Sequence, residues 1–162
     1  MEIRLVELPE VAGQLFVSHL PGRYETFAEA RESISERGID KVVCLATLPE
    51  IRQEAPEYFD AIQAGDLPWV QVNFPIPDRG VPTDLSPLLR TVEDLVEDLR
   101  NKKNILLHCV AGVGRTGTVA MCVLIGIGLD PLDASVRLAD AEAGPESDSQ
   151  ETLVNHVAEL RI

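Results

Sequence analysis

Between Asn104 and Ile127 the sequence passes from a short apolar run, NILLH, through a glycine-bearing stretch, CVAGVGRTG, into an uncharged apolar segment, TVAMCVLIGI. The first run has no polar alternation and suits a strand covered on both faces, while the last suits a buried helix. The apolar stretch from Val119 to Leu129 falls well short of the roughly 20 residues that cross a bilayer, so it reads as a core helix. A doubly covered strand that leads directly into a buried helix needs strand neighbours and helices on both sides. That requirement narrows the chain to the α/β class.

The remaining sequence supplies those partners. Gly13 to His19 reads as a strand after a short lead-in, and Thr26 opens a helix with Glu29 three residues on, a capping box, with Gly38 closing that helix. Lys41 to Ala46 (KVVCLA) is a β-branched run typical of a buried parallel strand. A helical patch from Glu57 to Ala64 leads to a strand from Trp69 to Phe74. Three prolines and a glycine in Pro75 to Pro82 (PIPDRGVP) can sustain neither helix nor ladder, so this segment is a loop that presents something polar. Leu85, Leu88, Leu89, Val92, Leu95, Val96 and Leu99 then mark one face of a long helix ending near Asn101. Asp130 with Pro131 caps another helix, and Ser147 to Ser149 precede a last one carrying Leu153, Val157 and Leu160.

No repeat or Ser/Gly linker divides the 162 residues. The expectation is a single α/β domain over 1–162, with a central, mainly parallel sheet of four to five strands flanked by helices. Ligands of such sheets sit at the carboxyl ends of the strands, where Cys109 falls. Twenty-seven Asp and Glu against 14 Lys and Arg give a net charge of −13. That balance is the opposite of the basic footprint of a nucleic-acid binder, and it argues equally against an anionic membrane surface. Acidic Glu2 and Glu7 stand where a secretory leader would be basic, so a cytoplasmic location is expected. Cys44, Cys109 and Cys122 are too few and too widely spaced for a disulfide framework or a zinc site. Cys44 and Cys122 fall in predicted core elements and read as packing residues, the sharper alternative being a resolving partner for oxidised Cys109. His19 and His156 show no partner pattern.

The segment His108 to Gly117 concentrates the chemistry. Gly112 and Gly114 permit backbone torsions other residues resist, so that successive N–H groups from Val110, Ala111, Gly112, Val113 and Gly114 form a nest for an anion. The following helix adds the positive end of its dipole. These groups and the Arg115 guanidinium favour the thiolate of Cys109, and the planar fork of Arg115 suits a tetrahedral oxyanion. Thr116 can donate its hydroxyl to the Cys109 sulfur when that sulfur leaves as thiolate. His108 reads as an orienting residue for the loop. The acidic stripe Glu93, Asp94, Glu97 and Asp98 reads as a solvated helix face.

The motif HCVAGVGRTG, followed by an apolar helix, resembles the HCx5RT signature of the protein tyrosine and dual-specificity phosphatase superfamily. PIPDRGVP, about thirty residues upstream, resembles the mobile acid loop of small dual-specificity phosphatases of the cyclin-dependent kinase inhibitor 3 type. The resemblance implies that Cys109 attacks phosphorus to give a phosphocysteine, that Arg115 and the backbone from Val110 to Gly114 hold the phosphoryl oxygens, and that Asp78 serves as acid and then as base. It implies phosphorylated protein as substrate, an oxyanion in the loop, and neither metal nor cofactor. Gln150 corresponds loosely to the family's water-positioning glutamine. Ala111 and Val113 are apolar where phosphoinositide phosphatases of the superfamily carry lysines. Two alternatives stand beside this reading: a phosphatase for a non-protein substrate, such as an RNA 5′-triphosphate end or an inositol phosphate, and a module that binds phosphorylated partners without turnover.

Overall fold

The structure, a computed structural model, describes residues 1–160. In chain order the elements are β1 (Ile3–Val6), β2 (Leu15–Ser18), α1 (Phe27–Glu36), β3 (Lys41–Cys44), α2 (Leu48–Glu54), α3 (Pro56–Ala64), β4 (Val70–Asn73), α4 (Leu85–Arg100), β5 (Ile105–His108), α5 (Gly114–Ile127), α6 (Pro131–Asp140) and α7 (Asp148–Glu159). The strands form one sheet in the order β1-β2-β5-β3-β4, with β5 at its centre. β2, β5, β3 and β4 are parallel, and β1 pairs antiparallel with β2.

The period of two in β5 divides the molecule. Ile105 and Leu107 enter one core with α4, α5, α6 and α7, whereas Leu106 enters the other with α1, α2 and α3. The same division separates Leu15 and Val17 from Phe16 on β2, and Val43 from Val42 and Cys44 on β3. Because both faces are covered, these strands are apolar throughout rather than alternating. α4 presents Leu88, Val92, Leu95, Val96 and Leu99 to the first core. Full burial of such side chains stabilises by about 2 kcal/mol each. α5 lies beneath α4, α6 and α7 and is buried from Gly114 to Ile125, which explains its nearly uncharged sequence.

Two elements differ from the sequence reading. The lead-in before β2 is itself a strand, β1, which extends the sheet by an antiparallel edge. Its four residues, IRLV, are too short for their alternation to stand out from the surrounding charged residues. The segment after β3 also forms a helix, α2, that the apolar pattern did not reveal. Its start is marked by Thr47-Leu-Pro-Glu50, where the Glu50 carboxylate accepts from the Thr47 N–H and hydroxyl, both at 2.9 Å. Proline in the first turn, where no N–H acceptor is needed, completes the start signal. The expected caps at Thr26, Asp130 and Ser147 all accept hydrogen bonds from backbone N–H groups of the helices they open.

Candidate active site

Cys109 follows the last residue of the central strand and sits at the carboxyl edge of the sheet, in the turn that leads to α5. The orientation of this turn follows from its carbonyl groups. The Cys109 carbonyl accepts from His108 Nδ1 at 2.9 Å. The Val110 carbonyl accepts from the Leu20 N–H at 3.0 Å and from Arg23 Nη1 at 3.2 Å. The Gly112 carbonyl accepts from Arg4 Nη2 at 3.0 Å, and the Val113 carbonyl accepts from the N–H groups of Gly117 and Gly144. In a trans peptide the C=O and the following N–H point in opposite directions. Tying these carbonyls to the surrounding protein therefore turns the N–H groups of Val110, Ala111, Val113 and Gly114 towards the cleft. The Gly112 N–H donates to Cys109 Sγ at 3.2 Å.

Only one of the two glycines expected to need an unusual torsion has one. Gly112 adopts φ +81°, and a Cβ there would lie 2.3 Å from the Ser18 carbonyl oxygen. Gly114 has ordinary helical geometry, and a Cβ there would meet only the side chain of Glu146, whereas at Gly117 it would meet the backbone of Gly144, so the close approach of the segment before α7 falls on Gly117.

Arg115 is 3 % exposed and almost fully engaged. Its Nη1 donates to Glu50 Oε1 at 2.7 Å and to the Ile76 carbonyl at 2.8 Å, and its Nη2 donates to Glu50 Oε2 at 2.9 Å. The carboxylate thus occupies the terminal edge of the guanidinium. The lateral edge, the Nε–H with the second Nη2–H, makes no hydrogen bond among the described residues, the nearest carboxylate being Asp78 at 3.5 Å from Nη2, and it forms a parallel pair of donors matched to two oxygens of a tetrahedral anion. Burial pushes the pKa of Glu50 up, but the Arg115 hydrogen bonds, the Thr47 donors and the Arg115 charge outweigh it and hold the pKa at about 2. Glu50 was not among the candidate residues. The Thr47-Leu-Pro-Glu50 capping box was the local signal for its helix, though not for its ion pair. Arg4, behind the loop, carried no sequence signal at all.

Asp78 lies on the loop between β4 and α4, 75 % exposed, with Oδ1 3.5 Å from Arg115 Nη2. Together with Arg115, Cys109 and Glu50 it lines a cleft of about 290 Å³. Thr116 is fully buried, and its hydroxyl has no hydrogen-bond partner among the described residues. Gln150 is also fully buried, and its amide joins the Gly80 carbonyl to the Glu146 N–H.

His108 points to the opposite face of β5. Burial is the main cause that lowers its pKa to about 4, the His19 and Arg115 charges adding to it against the Cys109 carbonyl, so the ring is neutral. Since its Nδ1 must donate to the Cys109 carbonyl, its Nε2 accepts from the Tyr58 hydroxyl at 2.8 Å. That hydroxyl accepts from Gln71 Nε2, also at 2.8 Å. His19, read as lacking a partner, instead contacts Glu25 through Nε2 at 2.9 Å. His156 is exposed in the last turn of α7. Burial pushes the thiols of Cys44 and Cys122 up to about 12, and all three cysteines are free.

A cysteine at the end of a central parallel strand, an inward-facing backbone nest and a buried arginine opening the next helix define the protein tyrosine and dual-specificity phosphatase class. A family model described as "Polymorphic toxin system, DSP-PTPase phosphatase" (Tc-R-P) matches residues 17–129, and the chain belongs to this family. Cyclin-dependent kinase inhibitor 3 of Rattus norvegicus is 33% identical over 95 residues, and that of Homo sapiens 30% identical over 95 residues. Each match covers 58% of this chain and 43% of the relative, so the similarity spans less than half the length of these proteins. Among solved structures, a kinase associated phosphatase with its catalytic cysteine replaced by serine superimposes with a TM-score of 0.83 at 24% identity, over 99% of this chain and 94% of the other. Tk-PTP in its active form gives a TM-score of 0.72 at 26% identity, over 96% of this chain and 100% of that one.

Proposed function

We propose that this chain is a single catalytic domain that hydrolyses phosphotyrosine in proteins, with phosphoserine and phosphothreonine as further substrates, through a phosphocysteine intermediate. The observation that carries the reading is the lateral edge of Arg115, which makes no hydrogen bond among the described residues and lies beside the terminal edge occupied by Glu50, at the mouth of a loop whose N–H groups face the same cleft. Donors preorganised in this way stabilise the charge that builds on the equatorial oxygens of a transferring phosphoryl group.

In the first step the Cys109 thiolate forms the S–P bond as the P–O bond to the substrate breaks, and the Asp78 carboxyl gives its proton to the departing oxygen. In the second step the Asp78 carboxylate takes a proton from water, the water oxygen attacks phosphorus, and the S–P bond breaks to return the thiolate. Neither step draws on a metal or cofactor. The Thr116 hydroxyl is buried and makes no hydrogen bond to the sulfur or to any other described residue, and donation to the sulfur as it leaves is the role assigned to it. Three free cysteines suit a reducing compartment, which supports a cytoplasmic location. Among the described residues no helix is long and apolar enough to cross a membrane.

The test is hydrolysis of p-nitrophenyl phosphate and of phosphotyrosine and phosphothreonine peptides in EDTA, by the native protein and by Cys109→Ser. Turnover by the native protein alone, with vanadate or phosphate still bound by Cys109→Ser, is the expected result. Full activity of Cys109→Ser would overturn the mechanism, and peptide capture without turnover by the native protein would favour a binding module.

A further inference from the structure

Apart from the 3.5 Å ion pair of its Oδ1 with Arg115 Nη2, the position of Asp78 is set by the residues that follow it. The acid loop is anchored at its start by the Ile76 N–H, which donates to the Leu45 carbonyl at 3.0 Å, and by the Ile76 carbonyl, which accepts from Arg115. At its other end, Arg79 has φ +60°, a left-handed conformation that a non-glycine residue rarely keeps without external restraint. The Gly80 N–H closes a turn on the Pro77 carbonyl at 2.8 Å, and three hydrogen bonds to the start of α7 tie that turn to the rest of the fold. Arg79 Nη2 donates to the Glu146 carbonyl at 2.9 Å, the Ser147 hydroxyl donates to the Arg79 carbonyl at 2.9 Å, and Gln150 Nε2 donates to the Gly80 carbonyl at 3.2 Å.

Gln150 is the buried member of this set. Its Oε1 accepts from the Glu146 N–H at 2.8 Å while its Nε2 reaches Gly80, so only one orientation of the amide satisfies both partners. The side chain is completely buried and both ends are occupied by backbone groups. A glutamine that handles the hydrolytic water needs an amide end turned to the cleft, and this one joins two loops instead.

We infer that Gln150 is a positioning residue that clamps the acid loop, through Gly80 and Glu146, so that Asp78 stands over the phosphoryl site. The inference rests on the reading of Asp78 as proton donor. Loss of the clamp frees the turn to move from α7 and Arg79 to leave its left-handed conformation, and the Asp78 carboxyl moves away from the leaving oxygen. The reaction then slows in proportion to the need of that oxygen for a proton.

The experiment compares kcat/KM for phenyl phosphate, whose leaving group needs protonation, with kcat/KM for p-nitrophenyl phosphate, whose leaving group does so far less. Gln150→Leu and, from the exposed side of the clamp, Arg79→Ala are measured alongside Asp78→Asn and the double variant Asp78→Asn/Gln150→Leu. Because misplacement and loss of a general acid each cost about tenfold or more, both single clamp variants are expected to lose at least about tenfold more on phenyl phosphate than on p-nitrophenyl phosphate. Gln150→Leu should add no further selective loss to Asp78→Asn.

An equal loss on both esters overturns the inference, as does an unchanged kcat/KM accompanied by a burst and accumulated phosphocysteine, the signature of impaired water attack. If Gln150→Leu does not fold, as judged by its melting curve, Arg79→Ala decides by the same ratio. Absence of leaving-group selectivity in Asp78→Asn itself would instead bring down the proton-donor reading, a result separable from failure of the clamp alone.

Discussion

Arg115 and Glu50, 65 residues apart in sequence, form a two-point ion pair with N–O distances of 2.7 and 2.9 Å. Glu50 holds the plane of the guanidinium so that its lateral edge faces the cleft, and it pairs with a cation that is almost fully buried. Glu50 also closes the first turn of α2 through Thr47, so the helix start and the anion site share one carboxylate.

Replacing Glu50 by Gln keeps the side-chain shape and removes the charge. Activity on aryl phosphates should fall about tenfold to a hundredfold, mainly in kcat, because the fork loses its fixed plane. Steady-state kinetics on p-nitrophenyl phosphate measure this, and an unchanged kcat would show that Arg115 is oriented by Ile76 alone.

Two groups predict how the folded state responds to acid. His108 is neutral in the fold, with its pKa lowered from 6.5 to about 4, so its contribution is complete above about 6.5 and is lost as pH falls towards 4. Glu50, lowered from 4.5 to about 2, contributes fully above about 4.5 and is lost as pH falls towards 2. The Glu50 share is about 2 to 3 kcal/mol once the partial exposure of its side chain is allowed for. Denaturant melts across pH 7 to 2.5 should decline in two successive windows, and Glu50→Gln should flatten the lower one.

Tyr58→Phe removes the hydroxyl that donates to His108 and accepts from Gln71. A buried acceptor left unpaired costs about 1 to 3 kcal/mol, so the midpoint of unfolding should drop accordingly. The same stability in both proteins would mean that a water replaces the phenol.

Iodoacetate at pH 7 should modify Cys109 and spare Cys44 and Cys122, whose thiols burial pushes up to about 12. Peptide mass mapping reads the sites, and millimolar phosphate should protect Cys109. Equal labelling of the three in the folded protein would contradict the distinction.

Acidic residues of α4 illustrate how far a local pattern reaches. Glu93, Asp94 and Glu97 are exposed, as a solvated face requires, whereas Asp98 on the same stripe is partly buried in an ion pair with Lys41 of β3. The periodicity of α4 located the face but held no information about which strand would meet its end.

The succession of strands and helices, the buried character of β5 and α5, and the loop that joins Cys109 to Arg115 were legible in the sequence by itself. Each rests on hydrophobic period, a cap or a glycine among residues adjacent in the chain, and such local preferences act before tertiary contacts form. The tertiary structure alone decided the antiparallel edge β1, the capture of Arg115 by Glu50, the tie from Arg4 to the Gly112 carbonyl and the link from Gln150 to Gly80. The chain bridges tens of residues to make all but the first of these contacts, and no local period encodes them. They arise when the assembled sheet brings the ends of β3, β4 and β5 and the start of α7 around one cleft, where buried polar groups pair across long separations.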